Sequence, residues 1–274
     1  MRATSKKFHR FWWVLIWYLL FISEAYCQLP SLSEAELQWL GERIFQNECA
    51  GQFECLTSWN PGERFPSVGI GHFIWYQQGQ AEPFEETFPK VLALFNERGI
   101  VLPKWLSGGR NANAPWQNRS QFNAQLQSYR MRELRQILAS TKSVQVEFIS
   151  RRLYTSINEI IKQFPIEQQQ ATEDKILYLA NSHTPFGLYT LMDYLHFKGS
   201  GLDPRERYQR NGWGLLQVLQ QMQQATPTVE NFVAAAEYVL ERRVINAPPG
   251  REEHRWLPGW KKRLQTYLPG NPAE

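Results

Sequence analysis

The sequence predicts a mainly helical α+β fold, a helical body with one small β-hairpin placed after the first helix of the mature chain. Three observations lead there. Beyond about residue 86, apolar residues recur at helical spacing through most of the chain. Residues 56–76 break that pattern, crowding turn formers against β-branched and aromatic residues. Gly- and Pro-rich stretches are confined to a few connections, as in one helical body with an early β insertion.

The first 27 residues read as a signal peptide. Arg2, Lys6, Lys7 and Arg10 precede the unbroken apolar run Phe11 to Ile22. That run is shorter than the roughly 20 residues a spanning helix needs. Cleavage fits after Ser23-Glu24-Ala25 or after Cys27, and an uncleaved N-terminal anchor is the alternative. The mature chain, residues 28–274, is then expected in the periplasm or secreted, touching membrane only through that signal or anchor.

The first mature helix is expected over 31–48. Ser33 and Glu36 form a capping box, and Leu37, Leu40, Ile44 and Phe45 share one face. Gly51 marks its stop. A hairpin or irregular sheet follows at 56–76, where Asn60-Pro61-Gly62 supplies a turn and Pro66, Gly69 and Gly71 argue against a regular central strand. Helices are then expected at 88–98, 120–139, 143–163, 166–181, 186–197, 205–224, 229–244 and 259–267, with 99–119 and 246–250 as loops.

Charge narrows the function. The whole chain carries a formal +4. Removing residues 1–27 lowers Lys+Arg from 30 to 26 and Asp+Glu from 26 to 25, leaving about +1. No basic stripe remains, so nucleic acid is not an expected partner. The five histidines are scattered without an HExxH pair, and no metal or cofactor site is expected. There is no Gly-x-Ser-x-Gly elbow and no nucleotide-binding glycine loop. Cys49 and Cys55, with five residues between them, either close a small loop or stay free thiols.

Glu48 is the residue with most chemical promise. It ends the first helix just before the hairpin, near the negative end of the helix dipole. With apolar neighbours, its carboxyl would stay protonated near neutrality, as a glycosidase acid must. By residue type alone an ordinary exposed glutamate at a helix end is the better reading. The segment Ser67-Val68-Gly69-Ile70-Gly71-His72-Phe73 changes the balance. It resembles the Thr-x-Gly-x-Gly-His segment of phage-type lysozymes, where a catalytic Glu likewise ends the first helix. The likeness covers roughly residues 37–76. The longer string from Leu56 to Tyr76 is also similar to uncharacterised exported bacterial proteins of the lysozyme-like superfamily.

The resemblance implies roles residue by residue. Glu48 matches the general acid. Ser67 matches the Thr that holds the attacking water. His72 matches the hairpin histidine, expected at the groove wall and tying sheet to helix. The family's second carboxylate, six residues before the Thr, falls on Pro61. Glu63, four before Ser67, is the nearest replacement, with a plain turn glutamate as the alternative; Glu54 is a weaker one. Gly212-Trp213-Gly214-Leu215-Leu216-Gln217-Val218 resembles the Gly-Leu-Met-Gln-Val string of goose-type lysozymes and lytic transglycosylases. It is expected to cross the cleft floor, with Gln217 as a sugar or water contact or as core.

Flat aromatic faces suit sugar rings. Of the mature tryptophans, Trp59 and Trp116 lie in turn and loop settings and are the expected groove residues, with Tyr208 beside them. The arginines between Arg242 and Arg255 either meet peptide-stem carboxylates or pair with surface acids. The function expected is a peptidoglycan glycosidase acting as a monomer on glycan strands. The alternatives are a lytic transglycosylase using one Glu, and a non-catalytic wall-binding or envelope scaffold protein.

Overall fold

Helix α1 (Glu34–Cys49) begins where the capping box predicts: the Ser33 hydroxyl accepts from the Glu36 amide, and the Glu36 carboxylate accepts from the Ser33 amide at 2.7 Å. This is a computed structural model, and it describes residues 29–80 and 84–270. The expected signal peptide, residues 1–27, lies outside the described residues. Among the described residues no helix is long and apolar enough to cross a membrane.

The end of α1 differs slightly from expectation. Ala50, not Gly51, takes the left-handed cap at φ 48°, and Gly51 follows in the same region. A disulfide joins Cys49 to Cys55 across the 3-10 turn Phe53–Leu56. It ties the last turn of α1 to the start of a sheet. The sheet has three two-residue strands, β1 (Thr57–Ser58), β2 (Ser67–Val68) and β3 (Phe73–Ile74), in antiparallel order β1-β2-β3. Ser67 sits opposite Ser58 on one side and Ile74 on the other.

The body is helical. It comprises α2 (Phe88–Glu97), α3 (Arg119–Ala124), α4 (Tyr129–Ser140), α5 (Lys142–Ile161), α6 (Ile166–Asn181) and α7 (Phe186–Lys198). A hairpin of β4 (Arg207–Tyr208) and β5 (Asn211–Gly212) follows, then α8 (Leu215–Gln221), α9 (Val229–Asn246) and α10 (Leu257–Gln265). The mainly-α class with a small antiparallel sheet is as predicted. Two elements are corrections. The helix expected over 120–139 is two helices, because the Ser128 hydroxyl accepts from the Met131 amide and starts a new one. The helix expected over 205–224 is a hairpin and a seven-residue helix. Its turn residues Gln209 and Arg210 both have positive φ, a conformation that usually advertises itself as Asn-Gly, so the sequence concealed it.

One apolar core runs through the molecule, from Leu40 and Ile44 of α1 through Trp75 and Phe122 to Tyr189, Phe232 and Tyr267. α1 packs mainly on α5, and α7 is buried around nearly its whole circumference. A helix that is enclosed on all sides must pair any charge it carries. This sets up the polar network described next.

Candidate active site

Glu48 occupies the last turn of α1, and its side chain is only 16% exposed. Two open cavities meet at it. One, of about 630 Å³, is lined by Glu48, Glu63, Ser67, His72 and Phe84 among others. The other, of about 550 Å³, is lined by Glu48, His72, Thr87, His196, Arg263 and Phe84 among others. Glu48, His72, Ile74 and Phe84 belong to both, so Glu48 stands at the waist of one continuous groove.

The β2–β3 turn sets the hairpin side of this waist. Gly69 has φ +77°, and a Cβ there would lie 2.4 Å from the Gln145 Oε1. That oxygen accepts the Ile70 amide at 2.9 Å, while Gln145 Nε2 donates to the Leu138 carbonyl at 2.7 Å. The fully buried Gln145 of α5 thus clamps the turn. A Cβ on Gly71 would lie 2.5 Å from the Phe73 ring. The Gly-Ile-Gly spacing is therefore a requirement for bringing this turn onto α5. His72, at φ 44°, follows and places its Nε2 3.7 Å from Glu48 Oε2.

The opposite side comes from the far end of the chain. Arg263 of α10 donates through Nη2 to Glu48 Oε1 at 2.5 Å. The same guanidinium holds Asp193 of α7 through Nε and Nη2, both at 2.8 Å. Asp193 is completely buried and also accepts from Tyr267 at 2.6 Å and from Asn47 at 3.3 Å. Burial by itself pushes its carboxyl up. The Arg263 charge and these hydrogen bonds outweigh burial and hold its pKa below the ordinary value. His196, one α7 turn on, places Nε2 3.7 Å from Glu48 Oε1. Burial holds its imidazole below the usual histidine range, against the pull of Glu48.

The apolar surroundings expected for Glu48 are thus replaced by an arginine and two histidines. Sequence inspection missed His196, Arg263 and Asp193, which lie 145 or more residues away along the chain. The only sequence hint is Asp193, the one charged residue in the mostly apolar run Leu188 to Leu195.

Glu63 and Ser67 do reach the groove. Ser67 is buried, and its Oγ lies 3.0 Å from Ser58 Oγ. Glu63 and Glu48 are the two carboxylates of the larger cavity's wall. Glu63 Oε2 is shielded from solvent and has no hydrogen-bond partner among the described residues. Glu54 is exposed in the 3-10 turn and lines neither cavity.

Three expected substrate contacts, Trp116, Trp59 and Tyr208, are corrected, and Gln217 takes the core role that was its other expectation. Trp116 is 1% exposed, donates to Gln125 at 3.1 Å and packs edge-on to Trp75 and Phe122. Trp59 is buried against Phe122 and donates to the Glu63 carbonyl at 2.9 Å, so it shapes the hairpin turn from beneath. Gln217 is buried and accepts the Gly214 amide at 2.9 Å, capping its own helix. The Gly-rich string it belongs to lines neither Glu48 cavity. Tyr208 donates to Glu253 at 2.9 Å, away from that groove. Glu253 is gripped by Arg243 in a fork of two 2.7 Å bonds, so that arginine serves internal pairing.

Among the described residues three phenylalanines line the groove, Phe65 and Phe197 in one cavity each and Phe84 in both, and Phe84 is the most exposed of them. It is 56% exposed and rests edge-on against Phe65. One three-ligand grouping, Cys49, Cys55 and His72, lies near the site, but its sulfurs are bonded to each other and offer no thiolate. No protein-family model, no curated protein and no solved structure matches the chain.

Proposed function

We propose that this protein is an exported peptidoglycan glycosidase in which Glu48 protonates the glycosidic oxygen. The observation that carries the reading is the convergence of Glu48, Glu63, Ser67 and His72 on one open cavity, matching the roles that the lysozyme-like hairpin motif implies. A groove of this size is within the range that takes a small ligand, about 300–1,000 Å³.

In this mechanism the sugar chain lies along the groove, one ring resting on the exposed face of Phe84. Glu48 delivers its proton to the leaving oxygen at the waist. Glu63, on the wall of the same cavity, accepts a hydrogen bond from the attacking water and offsets the positive charge that builds on the ring. The Ser67 hydroxyl completes the water's position. Arg263, anchored on buried Asp193, fixes the Glu48 rotamer through Oε1 and leaves Oε2, on the His72 side, to carry the proton.

A zymogram of the purified protein on cell walls tests this directly. Lytic bands are expected for the native chain, and Glu48→Gln should reduce them by about 100-fold or more. Bands of undiminished intensity from that variant would remove Glu48 from the chemistry. Pro61 in place of the family's second carboxylate supports a second reading, a lytic transglycosylase needing one acid. Mass analysis of released fragments separates the two, since anhydro ends mark transglycosylation and reducing ends mark hydrolysis.

A further inference from the structure

The Cys49–Cys55 bridge stands beside the Glu48 waist. Cys49 closes α1, and Cys55 lies in the 3-10 turn that leads into β1. Cys55 Sγ is 3.5 Å from the Glu48 carbonyl oxygen. The β2–β3 turn brings a third group to the same place. A ring nitrogen of His72 and the two sulfurs all lie within 4.8 Å of one another. Cys49 is buried, while Cys55 and His72 are half-buried. The imidazole does not depend on the bridge for its position, because Gln145 of α5 clamps the turn that carries it.

Two cysteines and one histidine form a donor set for zinc. Zinc binds thiolate at about 2.3 Å and imidazole at about 2.0–2.1 Å, which sets tetrahedral donors about 3.6–3.8 Å apart. His72 is already within reach of that spacing. The sulfurs reach it only if the bond between them is broken. Their Cα atoms are 5.4 Å apart, so rotation about the Cα–Cβ bonds opens them without moving the backbone. Two thiolates neutralise the ion, so this half-buried position takes on no net charge. Water from the groove that His72 lines fills the fourth position. The spacing of the two cysteines does not announce such a site, because its third donor arrives on the hairpin.

We infer that Cys49, Cys55 and His72 become a zinc site when the bridge is reduced, the metal replacing the bond as the staple between α1 and the sheet and extending it to the β2–β3 turn. The site does not depend on the glycosidase reading. Its reductant is a dithiol. One thiolate of the dithiol attacks Sγ of Cys55, the more exposed cysteine, and Cys49 leaves as a thiolate. The second thiol then displaces Cys55 from the mixed disulfide. The dithiol gives two electrons and becomes a disulfide, the bridge takes those two electrons, and the dithiol's two protons end on the cysteines. Zinc binding releases these two protons to solvent. The oxidised protein holds no thiolate here, so the metal follows the redox state.

Titration with cobalt(II), a coloured stand-in for zinc, tests this on the full chain without air, after a phosphine has reduced the bridge and been removed. The reduced protein should take up one equivalent, showing a sulfur-to-cobalt charge-transfer band and the visible bands of tetrahedral coordination. Zinc should bleach both, and the oxidised protein should show neither. His72→Asn, purified with its bridge intact and then reduced, should weaken cobalt binding by more than the roughly 10-fold that loss of an outer-shell partner costs. Thermal melts separate a folded site from thiols on an unfolded chain, because a metal that binds the native state raises the melting temperature and one that prefers the unfolded chain lowers it. Zinc should raise the melting temperature of the reduced protein, leave that of the oxidised protein unchanged, and lose most of its effect in His72→Asn. Three results would each overturn the site: no charge-transfer band after reduction, a cobalt affinity that His72→Asn leaves unchanged, or a melting temperature that zinc lowers or does not move. Lytic activity is read on the oxidised chain, so the glycosidase reading stands or falls on its own test.

Discussion

Lys198 buries its amine 3.4 Å above the Trp260 ring and 4.0 Å from that of Phe197. Burial, with Arg243 and Arg263 nearby, pushes this amine down to about 6 from 10.5. The unfolded chain therefore binds the proton more readily throughout that interval. The group's cost to the fold is largest below about pH 6 and fades as pH rises toward 10.5. Lys198→Met keeps the packing and removes the amine. It should raise the melting temperature at pH 7 and flatten the rise of stability between about pH 6 and 10, read by thermal melts across pH. Asp193 behaves in the opposite sense. Its lowered carboxyl contributes fully above the unfolded value of 3.8, and the contribution is lost as pH falls through the folded value. Asp193→Asn leaves the Arg263 guanidinium, 12% exposed, with one of its two partners gone. A loss of about 3–5 kcal/mol in urea unfolding at pH 7 is expected. The placement of Glu48, Glu63 and Ser67 on one cavity was legible because a local string carries them. His196 and Arg263 were not, because nothing within a window of sequence joins α7 or α10 to the end of α1.

At the scale of elements, the hairpin is the most exacting piece. Its strands are two residues each, too short to hold a register alone, so the turn must be held by Gln145 and the Cys49–Cys55 bridge. Gly69→Ala would press a methyl into the Gln145 oxygen at a left-handed φ. We expect a loss of about 2 kcal/mol or more in stability, with lytic activity falling too because His72 and Ser67 flank the turn. Full stability in that variant would contradict the clamp. Helical periodicity predicted most helices to within a few residues, since each apolar face is written locally. The second hairpin escaped because Glu206, Arg207, Gln209 and Arg210 are good helix formers. Burial of neighbouring Trp213 and the packing of β5 on α9 override that preference. Trp59 and Trp116 escaped for a related reason: a loop setting suggests exposure, yet both fold back onto Phe122.

Across the whole molecule, the site is a junction between the two ends of the described chain. α1 supplies Glu48, and α10, more than 200 residues later, supplies Arg263. α10 and the turn after it also insert Leu264 and Tyr267, both wholly buried, beside α9 and α7. A chain stopped after Trp256 therefore loses core packing and leaves Asp193 buried without its guanidinium. It should show no cooperative thermal transition by circular dichroism; a sharp melt near that of the full chain would show that α10 is dispensable.

By itself, the sequence determined the mainly helical class, the start of α1 at Ser33, the glycine-framed turn, and the presence of Glu48, Glu63 and Ser67 beside it. Each of these follows from interactions spanning a few residues: caps, apolar periodicity and backbone sterics. Tertiary structure alone decided what surrounds Glu48, and which aromatics are core and which face the groove. Those depend on how helices distant in sequence pack, and a buried charge finds its partner only once the chain has folded around it.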